Sequence, residues 1–158
     1  MHASDPVNRL MTEAVLTVGV DEPAGEVLRL FAGHPVHHLP VVDQAKVVGM
    51  LSSADVMKLD LFVPKNGADP IAFLNQRMKV RALLRRPPLT ILPHQSVESA
   101  ARLMAGNGVH ALAVVDGEDR LLGILTTTDI MQAALGGHPA RATAPRSGAP
   151  AAADGEDA

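Results

Sequence analysis

Hydrophobic residues change their spacing in the same order twice along this chain. A short apolar run at residues 16–20 is followed by apolar residues with helical spacing at 27–31. The same succession returns at residues 89–92 and then at 97–104. Short apolar runs are typical of strands, and the wider spacing is typical of helices, so each half is predicted to begin with a strand and a helix.

Two valine-rich runs follow the helix in each half. They cover residues 39–42 and 47–51, and then residues 112–115 and 121–125. The short polar connections between them predict a β-hairpin in each half, and a final helix is expected to begin near Ser53 or Thr127. Each half is therefore predicted to be a β-α-β-β-α unit of about 55 residues.

Residues that begin and end helices support these assignments. Ser96 is a candidate N-cap, and Gly33 and Gly106 are expected to end the first helix of each half. Between the halves, Asp69 followed by Pro70 predicts the start of a further helix. We expect that helix to carry its apolar side chains toward the second half.

The two halves are also copies in sequence. The phrase that begins at Val36 returns at Val109, 73 positions later (109 − 36), and the phrase at residues 49–55 returns at 123–129. Because a small repeat cannot bury its apolar face alone, the copies are expected to pack on each other. The predicted fold class is α/β (α+β), with two β-α-β-β-α repeats related by pseudo-two-fold symmetry.

The repeat divides the chain into five segments. We predict an N-terminal segment, a first repeat, a linker with a helix, a second repeat and a disordered tail, at residues 1–6, 7–60, 61–77, 78–136 and 137–158. The tail is rich in Ala, Pro, Gly and charge, and such a segment cannot bury enough apolar surface to become ordered.

Composition narrows the classes of function. The chain is 47% hydrophobic but has three Phe and no Trp or Tyr, which argues against base stacking on single-stranded nucleic acid. A net charge of −3 supplies no basic surface for a polyanion. The absence of Cys removes disulfides and thiolate chemistry and fits a reducing compartment. With no signal peptide or long apolar run, we expect a cytoplasmic protein without nucleic-acid or membrane partners.

The turns that lead from the last strand to the last helix are the candidate functional sites. Ser52 and Thr126 begin these turns, where a helix N-terminus favours an anion such as phosphate. Asp55 and Asp129 follow three residues later and could accept hydrogen bonds from a ribose diol. The same spacing also fits a capping box that only completes a helix. From the spacing alone, both interpretations remain open.

Four of the seven histidines form a cluster that raises the question of a metal site: His34, His37, His38 and His110. Strand alternation predicts opposite faces for His37 and His38, and no carboxylate or thiolate lies at ligand spacing, so no metal site is predicted. His37 and His110, at equivalent positions, either bond to nearby backbone or help to hold a phosphate. Since no nucleophile and base, phosphate-binding loop or paired acids are recognisable, we predict no enzyme activity.

The repeated phrases and the order of elements resemble the CBS domain, named after cystathionine β-synthase. The resemblance covers both copies and implies a Bateman module, in which two CBS domains form two clefts at their interface. It implies adenosine-containing regulatory ligands, namely AMP, ADP, ATP or S-adenosylmethionine and, in some members, NADH or cyclic di-AMP, with no required cofactor. It also implies a homodimer and a regulated partner protein.

The resemblance further implies roles for individual residues at matching positions. Asp55 and Asp129 would accept hydrogen bonds from the ribose of the ligand. The residues implied near the phosphate are Ser52, Thr126, Thr128, His37, His38 and His110. The residues implied for the adenine pocket are Thr17, Val18, Thr90 and Ile91.

Differences between the copies predict unequal clefts. Ala113 stands where the first copy has Pro40, and Ala54 stands where the second has Thr128. We expect the cleft of Asp129 to be favoured, because its own turn keeps both hydroxyls and it can recruit the histidines of the first copy. The leading hypothesis is a stand-alone regulatory module that senses an adenosine-containing ligand, and the alternative is a ligand-free dimerisation or scaffold module.

Overall fold

The structure is a computed structural model, and it describes residues 2–137. The first copy contains β1 (Val18–Gly19), α1 (Gly25–Gly33), β2 (His38–Asp43), β3 (Lys46–Ser52) and α2 (Ser53–Leu59). The linker helix is α3 (Pro70–Arg77). The second copy contains β4 (Thr90–Ile91), α4 (Val97–Asn107), β5 (Ala111–Val115), β6 (Leu121–Thr126) and α5 (Thr127–Ala134). Within the described range, no helix is both long and apolar enough to cross a membrane.

Each copy has its own three-stranded sheet, and the predicted fold class is confirmed. The strand orders are β1-β2-β3 and β4-β5-β6, with the first pair parallel and the second pair antiparallel in both sheets. Both hairpins shift register at equivalent places, between Val41 and Val42 and between Val114 and Val115. The predicted disordered tail lies outside the described residues except for Gly137.

The predicted helix ends are correct where a side chain makes the cap and wrong at one glycine. The Ser96 hydroxyl accepts a hydrogen bond from the Ser99 N–H, as expected for an N-cap. Gly33 is the last residue of α1, but α4 continues through Gly106 and ends at Asn107, with Gly108 as its C-cap. Gly108 has a φ of 62°, a left-handed conformation that favours glycine, so it is the residue that stops the helix.

The linker helix α3 packs on the first copy, so the prediction that it faces the second copy was wrong. Asp69 caps it as predicted, accepting a hydrogen bond from the Ile71 N–H. Asn75 Oδ1 accepts a hydrogen bond of 2.8 Å from the Gly25 N–H at the start of α1. Leu74 is fully buried in a cluster with Ala24, Leu59 and Val63. These contacts place the apolar side of α3 against α1.

The two copies exchange their first turns. The 3₁₀ turn Val7–Arg9 packs into the core of the second copy, where Val7 is fully buried. The equivalent turn Val80–Leu83 packs into the core of the first copy, where Val80 is fully buried. Each small core is therefore completed by a segment of the other copy. The predicted boundaries, 7–60 and 78–136, instead assign each turn to the repeat that it precedes in sequence.

Gly123 lies where the exchanged segment of the first copy crosses β6. The Thr12 N–H donates to the Ile124 carbonyl oxygen over 2.9 Å, and the Ile124 N–H donates to the Thr12 carbonyl oxygen over 3.0 Å. A Cβ at Gly123 would lie 2.7 Å from that Thr12 oxygen. At Gly49, the matching glycine, an added Cβ would instead meet the end of the Leu84 side chain. Both glycines thus make room for the exchanged segments.

We expect substitution of these two glycines by alanine to destabilise the protein unequally. Gly123→Ala must displace the backbone of Thr12 and should lower the free energy of unfolding by about 1–3 kcal/mol. Gly49→Ala should cost less, because the flexible Leu84 side chain can rotate away. Urea unfolding measures both, with Gly117→Ala as a control because nothing lies within 4 Å of its added Cβ. Equal losses in all three variants would contradict the close crossing at Gly123.

Candidate functional site

Two clefts lie between the copies, at the turns that lead into α2 and α5. The first cleft, of about 140 Å³, combines Ser52 and Asp55 with residues 108–111 of the second copy. The second cleft, of about 250 Å³, combines the turn at residues 126–129 with residues 35–38 of the first copy. Each cleft thus joins the strand-to-helix turn of one copy to the segment that enters the middle strand of the other.

The second cleft brings together six of the twelve residues selected from the sequence. Those that line it are Thr126, Thr128, Asp129, His37, His38 and His110. Those that line the first cleft are Ser52, Asp55, His38 and His110. Each cleft therefore contains one of the two ribose candidates, Asp55 or Asp129, together with phosphate candidates. The roles of these residues in binding remain predictions.

The residues selected for an adenine pocket do not line either cleft. They are Thr17, Val18, Thr90 and Ile91, and the side chains of Val18 and Ile91 are buried in the cores of their own copies. The segment immediately before each strand forms the cleft wall instead, as residues 14–16 in the second cleft and 87–89 in the first. Neither segment is among the predicted site residues, although the Pro87-Pro88 pair marks one of them.

Both acidic candidates take part in capping boxes. Asp129 Oδ2 accepts hydrogen bonds of 2.7 Å from the Thr126 N–H and from the Thr126 hydroxyl, and that hydroxyl accepts from the Asp129 N–H over 3.2 Å. Ser52 and Asp55 make the same three bonds, at 2.9, 2.7 and 3.3 Å. The capping interpretation therefore holds at both sites.

Capping uses only part of the Asp129 carboxylate. All of its side-chain hydrogen bonds with described residues fall on Oδ2, so Oδ1 remains an available acceptor. The Thr126 hydroxyl, in contrast, gives its proton to Asp129, and the Ser52 hydroxyl gives its proton to Asp55. The role of Ser52 and Thr126 beside a phosphate therefore stays a prediction. Thr128, on the exposed side of the turn, makes no such bond within the described residues.

Two positively charged side chains, those of Lys58 and Arg86, lie near the Asp55 carboxylate. Burial alone would raise the pKa of its carboxyl, but the Ser52 hydrogen bonds and the charges of Lys58 and Arg86 outweigh burial and lower the pKa. The Lys58 Nζ lies 3.9 Å from Asp55 Oδ1, and Arg86 lines the same cleft. Asp55 is therefore ionised at neutral pH.

A model of the CBS domain matches the chain in two segments, residues 7–61 and 80–136. The chain belongs to the CBS domain family. Its two copies form a tandem CBS pair, as the resemblance of the sequence implied. Among curated proteins, a CBS domain-containing protein of Dictyostelium discoideum is 30% identical over 128 residues, which is 79% of this chain and 88% of that protein.

Solved structures of CBS proteins share this fold. The crystal structure of CBSX2 in complex with AMP has a TM-score of 0.69 and 28% identity, and the match covers 84% of this chain and 97% of that one. The cytosolic domain of the Mg²⁺ channel MgtE in complex with ATP has a TM-score of 0.64 and 28% identity, with 82% of this chain and 48% of that one covered. Six further curated relatives are longer proteins, of which the chain spans only 21% to 44%.

His38 and His110 of this CBS pair line both clefts, and His37 joins them in the second. The expectation that His37 and His38 face opposite sides is wrong, because His37 precedes β2 and strand alternation does not apply there. His34 lies apart, with its ring nitrogen 3.0 Å from the Leu30 carbonyl oxygen. Among residues 2–137, the structure brings no group of three or more metal-binding side chains together at a metal site.

The charge of the histidine cluster depends on its neighbours. Burial lowers the pKa of His38 below its ordinary value, and the nearby His110 and His37 lower it further, while Asp55 acts in the opposite direction. The His38 imidazole is therefore neutral at pH 7 and can donate one hydrogen bond and accept another. An anion beside it would favour protonation.

Proposed function

We propose that this CBS pair is a regulatory module that binds an adenosine-containing ligand, such as AMP, ADP, ATP or S-adenosylmethionine, and signals to a partner protein. The observation that carries the proposal is the second cleft, where Asp129 of one copy faces the histidines of the other. Two similar CBS structures, each 28% identical to this chain, are complexes with AMP and ATP, which supports the choice of ligand class.

The groups of the second cleft suit the parts of a nucleotide. The free Oδ1 of Asp129 can accept from a ribose hydroxyl, and the imidazoles of His37, His38 and His110 can bond to phosphate oxygens. Thr128 adds a hydroxyl at the N-terminal end of α5, where the helix dipole favours negative charge. The apolar wall at residues 14–16 can pack against the base.

Binding at this interface provides a route for a signal. A ligand in the second cleft touches both copies, so it stabilises the relative orientation of the copies that fits it best. Only a difference in affinity between two orientations can shift their populations. The proposed output is therefore a change in the surface that the pair presents to its partner.

The scaffold function remains the second candidate because α2, α5 and the residues after them expose large apolar side chains. Met57, Leu61 and Leu135 are 78%, 79% and 88% exposed, and Phe62 and Met131 are also exposed. Apolar surface of this kind is typical of protein–protein contacts. We propose that it forms a homodimer interface, which is compatible with both candidate functions.

Thermal unfolding in the presence of ligands separates the two candidates. At a concentration of about 100 times its Kd, a ligand of the native state adds about 2.7 kcal/mol of stability, which should raise the Tm by about 5–10 °C. We expect this rise with at least one of AMP, ADP, ATP and S-adenosylmethionine. Ribose 5-phosphate, which lacks the base, is the matched control. If no adenosine-containing ligand raises the Tm, the sensor function is wrong and the scaffold function is favoured.

A further inference from the structure

We propose that each chain binds one adenosine-containing ligand, in the second cleft, because main-chain groups that can pair with adenine are free there and fewer in the first cleft. This inference rests on the proposed function and adds to it the location and number of ligands. It comes from three positions at which the copies differ: Ala14 against Pro87, Val15 against Pro88, and Pro40 against Ala113.

Adenine needs both a donor and an acceptor from its binding site. Its N1 accepts a hydrogen bond, and its exocyclic amino group donates one. The side chains of the wall of the second cleft, Ala14, Val15 and Leu16, are apolar, so only the main chain of this wall can supply these groups. The three N–H groups of this wall have no hydrogen-bond partner among the described residues.

One acceptor of the wall, the Leu16 carbonyl oxygen, depends on a proline in the neighbouring strand. In the second copy, the Ala113 N–H donates to the Leu89 carbonyl oxygen over 3.3 Å. The first copy has Pro40 at the position of Ala113, and proline has no N–H to donate. The Leu16 carbonyl oxygen, equivalent to that of Leu89, therefore has no partner within the described part of the chain. Strand β4 begins at Thr90, whereas β1 begins at Val18, one residue after the equivalent position Thr17.

The first cleft offers fewer of these groups. Pro87 and Pro88 replace two of the three donors, and the carbonyl oxygen of Leu89 is already bonded to Ala113. Arg86 also lines this cleft, but its guanidinium can only donate and lies near the Asp55 carboxylate. The cleft is smaller as well, at about 140 Å³ against about 250 Å³. Adenine would find fewer main-chain partners there, at a cost in affinity.

Calorimetric titration of the full chain with AMP tests the number of sites. We expect a stoichiometry of one AMP per chain. The double variant Pro87→Ala/Pro88→Val gives the first cleft the residues of the second, and we expect it to add a weaker site and raise the stoichiometry above one. A stoichiometry that stays at one in this variant would overturn the role of the proline pair. Two sites in the unmodified chain would overturn the whole inference while leaving the proposed function intact.

The variant Pro40→Ala tests the acceptor. It restores an N–H that can bond to the Leu16 carbonyl oxygen, as Ala113 bonds to that of Leu89. We expect the affinity for AMP to fall about three- to tenfold, with little loss of affinity for ribose 5-phosphate, which needs no adenine contact. A Tm equal to that of the unmodified chain or higher shows that the variant folds. An unchanged affinity for AMP would overturn the role of Leu16, whereas no AMP binding by the unmodified chain would overturn the proposed function itself.

Discussion

Val7→Asp is expected to destabilise the protein by at least about 4 kcal/mol. Although Val7 belongs to the first copy in sequence, we expect the substitution to disrupt the core of the second copy. Val7 is fully buried in the core of the second copy, together with Met104, Leu112 and Leu125. A carboxylate there would lose its hydration and find only apolar neighbours. An unpaired buried charge is among the few causes of such a large loss.

The neighbouring substitution Asn8→Asp is the matched control, because residue 8 is exposed and the change adds the same charge. Urea unfolding at neutral pH measures the loss of stability, and hydrogen exchange locates it. We expect the amides of Leu112 and Val114 in β5 to lose more protection than those of Leu39 and Val41 in β2. Greater loss of protection in β2 would show that the first turns are not exchanged.

Asp129→Asn is expected to weaken AMP binding about 10- to 100-fold while leaving the stability of the protein nearly unchanged. The amide oxygen can still accept from the Thr126 N–H and hydroxyl, so the capping box survives. The amide nitrogen, however, would replace the free Oδ1 and cannot accept from a ribose hydroxyl. Loss of a hydrogen bond to a charged group costs about 1.5–3 kcal/mol, which corresponds to this range of Kd.

Asp55→Asn is the matched control, because Asp55 makes the same capping bonds with Ser52. We expect it to change the Kd for AMP by less than about twofold, since the second cleft does not include Asp55. Both constants come from the same calorimetric titration. A loss of binding in Asp55→Asn with none in Asp129→Asn would place the ligand in the first cleft and contradict the preference for the second.

Local features of this fold could be predicted well because they depend on residues a few positions apart. The spacing of Ser52 and Asp55, and of Thr126 and Asp129, predicted capping boxes that the structure contains. The order of strands and helices followed from hydrophobic spacing in the same way. The end of α4 was misplaced, because a glycine inside a helix is tolerated and only the left-handed φ of Gly108 stops it.

The sequence also narrowed the candidate site but did not identify all of its walls. The repeated phrases led to Asp129 and to His37, His38 and His110, which the structure brings into one cleft. The wall at residues 14–16 was missed because apolar side chains carry no signal of the main-chain groups behind them. The Val18 side chain does not line the cleft, because an alternating strand turns it into the core, and its place in an adenine pocket stays a prediction.

By itself, the sequence determined the duplication, the order of the strands and helices, and the caps, because each depends on spacing within a short segment. Only the tertiary structure decided that the first turns are exchanged, that α3 packs on the first copy, and that two histidines line both clefts. The physical reason is that these features arise where distant segments bury a shared apolar surface. The spacing of residues within one copy carries no information about which copy supplies the partner.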